Sequence, residues 1–192
     1  MTTTNFLLCG VGGQGVLLAS TILAKAALRQ GLDVKGGEVH GMAQRGGAVV
    51  SHMRIGEKVH SPLVPLGQCD FLLGFEPLEA VRNAHWVRPS GLLLYNTYRV
   101  NPSTVAAGLA QYPEDLEQRL ERFPCRKKMI PASDLARQAG DIRAANAVMA
   151  GALSRQLDFP LEVWEHAVAE SVPPKVLEIN REAFRLGRDA GG

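Results

Sequence analysis

The feature that most restricts the fold is a glycine-rich turn at residues 10–15, with the sequence Gly-Val-Gly-Gly-Gln-Gly. Residues 5–9 before it are a short apolar run typical of a buried strand, and residues 15–30 after it carry apolar side chains at helical spacing. A strand, a glycine turn and a helix in this order open a βαβ unit. The sequence therefore predicts an α/β protein that begins with this unit.

The turn fits the pattern G-x-G-x-x-G, and its candidate ligand-binding residues are Gly10, Gly12, Gly13, Gln14 and Gly15. Glycines let the backbone approach a phosphate closely, and the N-terminus of a helix offers unpaired N–H groups to an anion. The same glycines would also permit close packing of the strand against the helix without any ligand. The motif alone supports phosphate binding and close packing equally.

Apolar and alternating runs predict further strands at residues 32–36, 48–55, 70–75, 92–96 and 127–130. Residues 59–64, after a turn at 56–58, are predicted to complete a hairpin with 48–55. Helical patterns occupy residues 76–84, 102–109, 114–123, 141–157, 161–171 and 174–186, and a helix is predicted to begin at 134. The predicted fold class is therefore α/β and Rossmann-like, with a mostly parallel sheet, helices on both faces, a hairpin insertion after strand two and a helical C-terminal cap. We expect residues 1–192 to form a single domain.

Composition excludes several classes of function. A net charge of +2 is too small to indicate a nucleic-acid or membrane-surface partner, and the short basic run at residues 126–128 is interpreted as a solvated turn. The sequence has neither an apolar run long enough to span a bilayer nor a secretory leader, which predicts a cytoplasmic protein. Cys9, Cys69 and Cys125 are far apart and form no C-x-x-C pair, so we expect no metal or iron–sulfur cluster on this chain.

A second unusual segment, at residues 37–47, combines glycines with polar side chains. It contributes five candidate binding residues: His40, Gln44, Arg45, Gly46 and Gly47. An arginine followed by two glycines suits an anion, because the guanidinium fork and exposed N–H groups both donate. A solvated surface loop is the alternative. We expect this segment to meet the first glycine turn at the carboxyl edge of the sheet, where α/β proteins bind ligands.

A dinucleotide-binding dehydrogenase is the second interpretation of the first turn. It requires an acidic residue about 20 residues further on, at the end of strand two. That region holds Lys35, Gly36 and Gly37, and Glu38 is the acid closest to it. No helix is predicted after strand two either, which disfavours a stand-alone oxidoreductase of the NAD or flavin type.

The two glycine segments together resemble a known family. Residues 10–15, followed by Glu-Val-His-Gly-Met-Ala-Gln-Arg-Gly-Gly at 38–47, are similar to the gamma domain of the pyruvate/2-oxoacid:ferredoxin oxidoreductases. The His-Gly-Met-Ala-Gln-Arg-Gly-Gly form resembles the indolepyruvate branch, in which this domain is the beta subunit. The resemblance continues through residues 146–153 and 180–187, so it covers nearly the whole chain.

The resemblance implies a heteromeric enzyme that converts an aryl pyruvate and coenzyme A to aryl-acetyl-CoA and carbon dioxide, with ferredoxin as electron acceptor. It implies that thiamine diphosphate, Mg²⁺ and [4Fe-4S] clusters belong to a large partner subunit. Ferredoxin would then be an indirect partner of this chain. This chain would then hold no catalytic residue. Our hypothesis is that it assists coenzyme A binding and subunit docking, with Arg45 contacting a phosphate of coenzyme A or an acidic group of the partner. In isolation, the chain could form a homodimer.

Three further questions stay open on the sequence alone. A stand-alone interaction or regulatory module that kept the fold is a third possible function. Trp86 and Trp164 suit either the core or an interface, because tryptophan is enriched in both. The small-faced helix predicted at 141–157 could pack against another helix of this chain or against another subunit.

Overall fold

The computed structural model describes residues 3–40 and 46–192, and at His40 it describes only the backbone. These residues form a six-stranded sheet in the order β2-β3-β1-β4-β5-β6. The strands are β1 (Thr4–Val11), β2 (Asp33–His40), β3 (Ala48–Gly56), β4 (Cys69–Gly74), β5 (Val87–Asn96) and β6 (Arg126–Ile130). Strands β1, β4, β5 and β6 are parallel neighbours, while β3 runs antiparallel to both β1 and β2.

Helices cover both faces of the sheet, which confirms the predicted α/β class. The helices are α1 (Val16–Arg29), α2 (Pro77–Asn83), α3 (Ser103–Ala106), α4 (Leu116–Glu121), α5 (Ala132–Gln138), α6 (Ala145–Ser154), α7 (Leu161–Ala169) and α8 (Leu177–Gly191). In the described residues, no helix is both long and apolar enough to cross a bilayer.

Side-chain alternation along the strands divides the core into two layers. Phe6 and Leu8 of β1 point toward α1, α5, α6, α7 and α8. Leu7 and Cys9 point to the opposite face, which α2 and α4 cover. Trp164 is fully buried between Phe159 and Phe184 in the first layer, so this tryptophan is a core residue.

Strand β3 forms a hairpin with β2, whereas the sequence predicts a hairpin between residues 48–55 and 59–64. Strand β2 continues to His40 and pairs with β3 along its whole length, so residues 36–40 are strand rather than loop. Residues 57–68 form no strand, because Pro62 and Pro65 lack the N–H groups that a ladder requires. This segment instead lies over the sheet as a strap that buries Val59 and Val64.

His52 of β3 holds residues 57–68 against the sheet. The His52 Nδ1 atom accepts a hydrogen bond from the Val64 N–H at 3.3 Å, and the imidazole packs edge-on against Trp86 at 5.1 Å. Burial lowers the pKa of His52 below its usual value. A neutral ring is required here, since a protonated Nδ1 would point a second donor at the Val64 N–H.

The small-faced helix α6 packs against α8 within the chain, which answers the question left open by the sequence. An added Cβ at Gly187 would overlap the carbonyl oxygen of Val148, and one at Gly151 would overlap that of Phe184. Glycine at both positions therefore allows the two backbones to approach closely. Asn180 is also buried on α8 and donates from Nδ2 to the Val176 carbonyl at 2.8 Å.

We expect Gly187→Ala to destabilise the protein, because the added methyl group must push the α6 backbone away. Overpacking of this kind costs about 1–3 kcal/mol, although alanine regains up to about 1 kcal/mol of helix propensity. Urea denaturation should show a lower midpoint with an unchanged slope. Arg181→Ala, an exposed change on the same helix, should be nearly neutral. An unchanged midpoint for Gly187→Ala would contradict the packing described here.

Stability should fall as the pH is lowered from neutrality, in part through His52. The unfolded chain takes up a proton near the ordinary pKa of about 6.5, whereas the folded chain resists it until a lower pH. The loss is therefore expected below about pH 6.5 and should end once the pH passes the folded-state pKa. His52→Asn should remove this component while keeping an acceptor for Val64, as measured by denaturation at several pH values. His85→Asn, at an exposed position beside the same Trp86, should leave the pH dependence unchanged.

Candidate functional site

The first glycine turn joins the carboxyl end of β1 to the N-terminus of α1, as predicted. Within it, the Gln14 side chain makes two hydrogen bonds to the protein backbone. Its Oε1 accepts from the Val11 N–H at 2.8 Å, and its Nε2 donates to the Phe75 carbonyl at 2.9 Å. Gln14 therefore ties the turn to the end of β4 and keeps one Nε2 hydrogen for a further acceptor.

Gly15 is required by both its conformation and its surroundings. It has a φ of 75°, in the left-handed region that favours glycine, and it forms the N-cap of α1. A Cβ at this position would overlap the side-chain amide of Asn146, at the start of α6. Close packing therefore explains the glycine at position 15, whereas Gly13 is exposed and an added Cβ there would meet nothing.

The second glycine segment meets the first at one edge of the sheet. The Gly12 N–H donates to the Gly47 carbonyl at 2.8 Å, and the Gly46 carbonyl accepts from the Ser103 N–H at 3.1 Å. The backbone of His40 lies at the same edge, because His40 is opposite Val49 in the sheet and Val49 is opposite Gly10. Gln44, Arg45 and the side chain of His40 lie outside the described residues.

A cavity of about 170 Å³ lies beside the first turn, next to the point where the strand order reverses. From β1 the chain moves to β2 on one side and returns to β4 on the other, and α/β sheets bind ligands at such a switch point. Gly13 and Gln14 form one wall of the cavity, and Asn96, Ser133 and Arg143 lie around the rest. The Arg143 guanidinium is exposed and is paired with Asp141 at 2.6 Å.

A buried amide behind this cavity holds three elements together. Asn96 Nδ2 donates to the Phe75 carbonyl at 3.3 Å and to Ser133 Oγ at 3.0 Å. Asn96 Oδ1 accepts from the N–H groups of Ser133 and Tyr98, each at 3.3 Å. The ends of β4 and β5 and the start of α5 are therefore positioned relative to one another by one side chain.

A buried carboxylate attaches the long segment after β5. Glu76 is fully buried and caps α2, and its Oε2 accepts from the N–H groups of Leu78 at 2.7 Å and Glu79 at 3.1 Å. Its Oε1 accepts from the Val100 N–H at 3.4 Å and from the Tyr112 hydroxyl. Burial and the neighbouring Glu76 carboxylate raise the pKa of Tyr112 well above its usual value, so its hydroxyl stays a donor.

The three thiols do not fit a cluster or a nucleophile. Cys9, Cys69 and Cys125 are all buried against the α2 and α4 layer. Burial raises the pKa of Cys9 well above its usual value and that of Cys69 to about 12, so both stay protonated. In the parts of the chain that the structure describes, no three potential ligand side chains come together as a metal site.

Four residues around these segments were not predicted from the sequence: Glu76, Asn96, Ser133 and Arg143. Glu76 and Asn96 directly follow buried apolar runs at the carboxyl ends of parallel strands. That position was a usable signal, because polar residues there face the ligand-binding edge. Ser133 and Arg143 offered no comparable signal, since their position depends on how α5 and α6 pack.

The sequence profile of the family described as pyruvate ferredoxin/flavodoxin oxidoreductase matches residues 5–190. The chain belongs to this family. Subunit IorB of indolepyruvate oxidoreductase from Thermococcus kodakarensis is 42% identical over 97% of this chain and 95% of its own length. The IorB subunit from Archaeoglobus fulgidus is 40% identical over 95% of this chain and 92% of its own length. The chain is thus homologous to the small subunits of these oxidoreductases.

Solved structures of the family share the fold. The gamma subunit of a keto/oxoacid ferredoxin oxidoreductase from Geobacter sulfurreducens matches with a TM-score of 0.74 and 25% identity over 98% of both chains. A 2-oxoglutarate:ferredoxin oxidoreductase from Magnetococcus marinus matches with a TM-score of 0.75 and 20% identity. That match covers 100% of this chain but 31% of the other, so there the fold is part of a longer chain.

These findings disfavour the stand-alone dinucleotide-binding oxidoreductase. The relatives are subunits of 2-oxoacid oxidoreductases, and this chain is by homology a subunit of such an enzyme. The topology agrees, because β2 leads directly into the antiparallel β3. A dinucleotide-binding unit would instead have a second helix and a third parallel strand at this point.

We expect Gly15→Ala to destabilise the protein by more than 2 kcal/mol, roughly 1–2 kcal/mol from the left-handed backbone and the remainder from overlap with Asn146. Denaturation of the two single variants and of Gly15→Ala with Asn146→Ala would separate these contributions. The double variant should lose less than the sum of the single losses, because Asn146→Ala relieves the overlap. Strict additivity would show that the two residues do not interact.

Proposed function

We propose that this chain is the small subunit of a thiamine-diphosphate-dependent indolepyruvate:ferredoxin oxidoreductase. The proposed reaction converts an aryl pyruvate anion and coenzyme A to aryl-acetyl-CoA, carbon dioxide and one proton, and the two electrons released reduce ferredoxin. The observation that carries the proposal is 36–42% identity to four IorB subunits across nearly the whole chain. We further propose that the full chain acts as one gamma-type domain in the cytoplasm.

The redox centres are assigned to a large partner subunit. Thiamine diphosphate with Mg²⁺ supplies the electron sink for carbon–carbon cleavage, and [4Fe-4S] clusters carry the electrons. The buried, protonated thiols of this chain support that assignment, because cluster ligands must be thiolates. Two relatives support a close association with a larger subunit. This chain matches 35% of ketoisovalerate oxidoreductase subunit VorA and 31% of the Magnetococcus enzyme, so in both the equivalent of this chain is part of a longer polypeptide.

The contribution of this chain is to bind an anion and to dock at the rim formed by the two glycine segments. The hydrogen bond between Gly12 and Gly47 holds these segments together. The first intrahelical hydrogen bonds of α1 run from the N–H groups of Leu18 and Ala19 to the Gly15 carbonyl. The N–H groups of Val16 and Leu17 precede them in the first turn, where helix geometry offers no intrahelical acceptor. Such groups suit a phosphate of coenzyme A, and the candidate residues of both segments are assigned to this use.

Arg45→Ala tests the proposed anion contact in the assembled enzyme. A charged hydrogen bond to phosphate contributes about 1.5–3 kcal/mol, so the KM for coenzyme A should rise by roughly 10- to 100-fold. The KM for the aryl pyruvate should stay unchanged, because its carbon centre reacts on the partner. Steady-state kinetics with each substrate varied in turn gives both values.

Arg181→Ala removes an exposed arginine on α8 and serves as the control, with unchanged constants expected. If Arg45 instead contacts an acidic group of the partner, the subunits of the Arg45→Ala enzyme should separate at lower salt on a gel-filtration column. An Arg45→Ala enzyme with unchanged KM and unchanged assembly would refute the contact. Failure of the chain to assemble with the large subunit of an indolepyruvate oxidoreductase would refute the proposed function itself.

A further inference from the structure

A second concave surface lies on the opposite face of the sheet from the cavity beside the glycine turn. It is a groove of about 550 Å³ at the carboxyl ends of β5 and β6, between α2 and α4. Its floor is apolar and includes Pro77, Leu116, Leu120 and Met129. Met129 is 52% exposed there and adds a large apolar side chain to this floor.

Tyr95 directs an unused hydroxyl into this groove. The residue is 8% exposed and belongs to the core layer under α2 and α4. Tyr95 lines the groove, and its hydroxyl makes no hydrogen bond to the described residues. Burial and the nearby carboxylate of Glu117 raise the pKa of Tyr95. The hydroxyl is therefore available as a donor to a molecule in the groove.

One wall of the groove presents a cation in a fixed position. The Arg99 guanidinium lies 3.7 Å from the centre of the Tyr112 ring, and its Nε donates to Asn101 Oδ1 at 2.9 Å. Tyr112 is itself held by its hydrogen bond to the buried Glu76. The terminal nitrogens of Arg99 have no acceptor in the described part of the chain, so two donors remain for a carboxylate.

The other wall carries negative charge. Glu114 and Glu117 line it and have no ion pair in the parts of the chain that the structure describes, while Asp115 is paired with Arg119 at 2.8 Å. Thr97 and Gln118 add neutral hydrogen-bonding groups. The groove therefore combines one available cation, two available carboxylates and an apolar floor.

We propose that this groove binds a free amino acid with a large apolar or aromatic side chain. Its carboxylate pairs with Arg99, its ammonium group faces Glu117 and Glu114, and its side chain lies against Leu120, Met129 and the Tyr112 ring. The Tyr95 hydroxyl donates to the ligand carboxylate. A nucleotide fits poorly because its phosphates would meet the two glutamates, and a polyamine fits poorly because it would meet Arg99.

Calorimetric titration of the purified full chain with L-phenylalanine and L-tryptophan tests this site. Both are expected to bind saturably. Phenylpyruvate lacks the ammonium group and phenethylamine lacks the carboxylate, so each should bind at least about tenfold more weakly. Titration with glycine tests the apolar floor in the same way, and weaker binding is again expected.

Three variants connect the binding to the groove. Tyr95→Phe removes one neutral donor and should weaken L-tryptophan binding by about 3- to 10-fold. Arg99→Gln and Glu117→Gln remove charged partners and should weaken it by about 10- to 100-fold. Tyr98→Phe, outside the groove, and Glu121→Gln, one turn further along α4, are matched controls that should bind normally. Thermal melts confirm that each variant is folded.

Two results would overturn the proposal. One is the absence of saturable binding of either amino acid by the unmodified chain. The other is binding that phenylpyruvate or phenethylamine matches, or that Tyr95→Phe, Arg99→Gln and Glu117→Gln all leave unchanged. The inference does not depend on the reaction proposed above, because the titration uses no partner subunit and measures no turnover.

Discussion

Two side-chain amides at the Phe75 carbonyl hold the carboxyl edge of the sheet together. Gln14 donates to this carbonyl from the glycine turn after β1, and Asn96 donates to it from the end of β5. Phe75 itself follows β4, so three neighbouring parallel strands end at one acceptor. Loss of Gln14 would leave the Val11 N–H without its acceptor, and loss of Asn96 would do the same to the Ser133 N–H. A buried donor left unsatisfied costs more than the bond contributes. The rim depends on this contact.

The helical layer supports the same rim from one face. Glycines at 151 and 187 let α6 and α8 approach each other closely, and the start of α6 places Asn146 against Gly15. The glycine turn is therefore positioned by the C-terminal third of the chain as well as by its own strand and helix. On the other face, Glu76 and Tyr112 hold the segment after β5, whose Ser103 reaches the Gly46 carbonyl. Both glycine segments are thus supported by residues distant in sequence.

Much of the fold was predictable where one local signal dominated. The apolar run of β1, the glycine turn and the helical pattern of α1 agree with the structure to within two residues at each end. Strand β2 was harder, since Gly36 and Gly37 have low strand propensity and are held in the sheet by their pairing with Met53 and His52. Residues 59–64 have the alternation of a strand, but Pro62 and Pro65 lack the N–H groups that pairing with a neighbouring strand requires.

The sequence by itself determined the α/β class, the meeting of two glycine segments at one sheet edge and, through its motifs, the family. Those properties follow from residue types and short spacings, and local chemistry is enough to express them. Only the tertiary structure decided that Gln14 is used internally, that Asn96 and Glu76 organise the rim, and that Tyr95, Arg99 and Glu117 share a groove. Several of these relations join residues that are distant in sequence, as with the 61 positions between Gln14 and Phe75. Such contacts exist only after strand order and helix packing have brought the residues together.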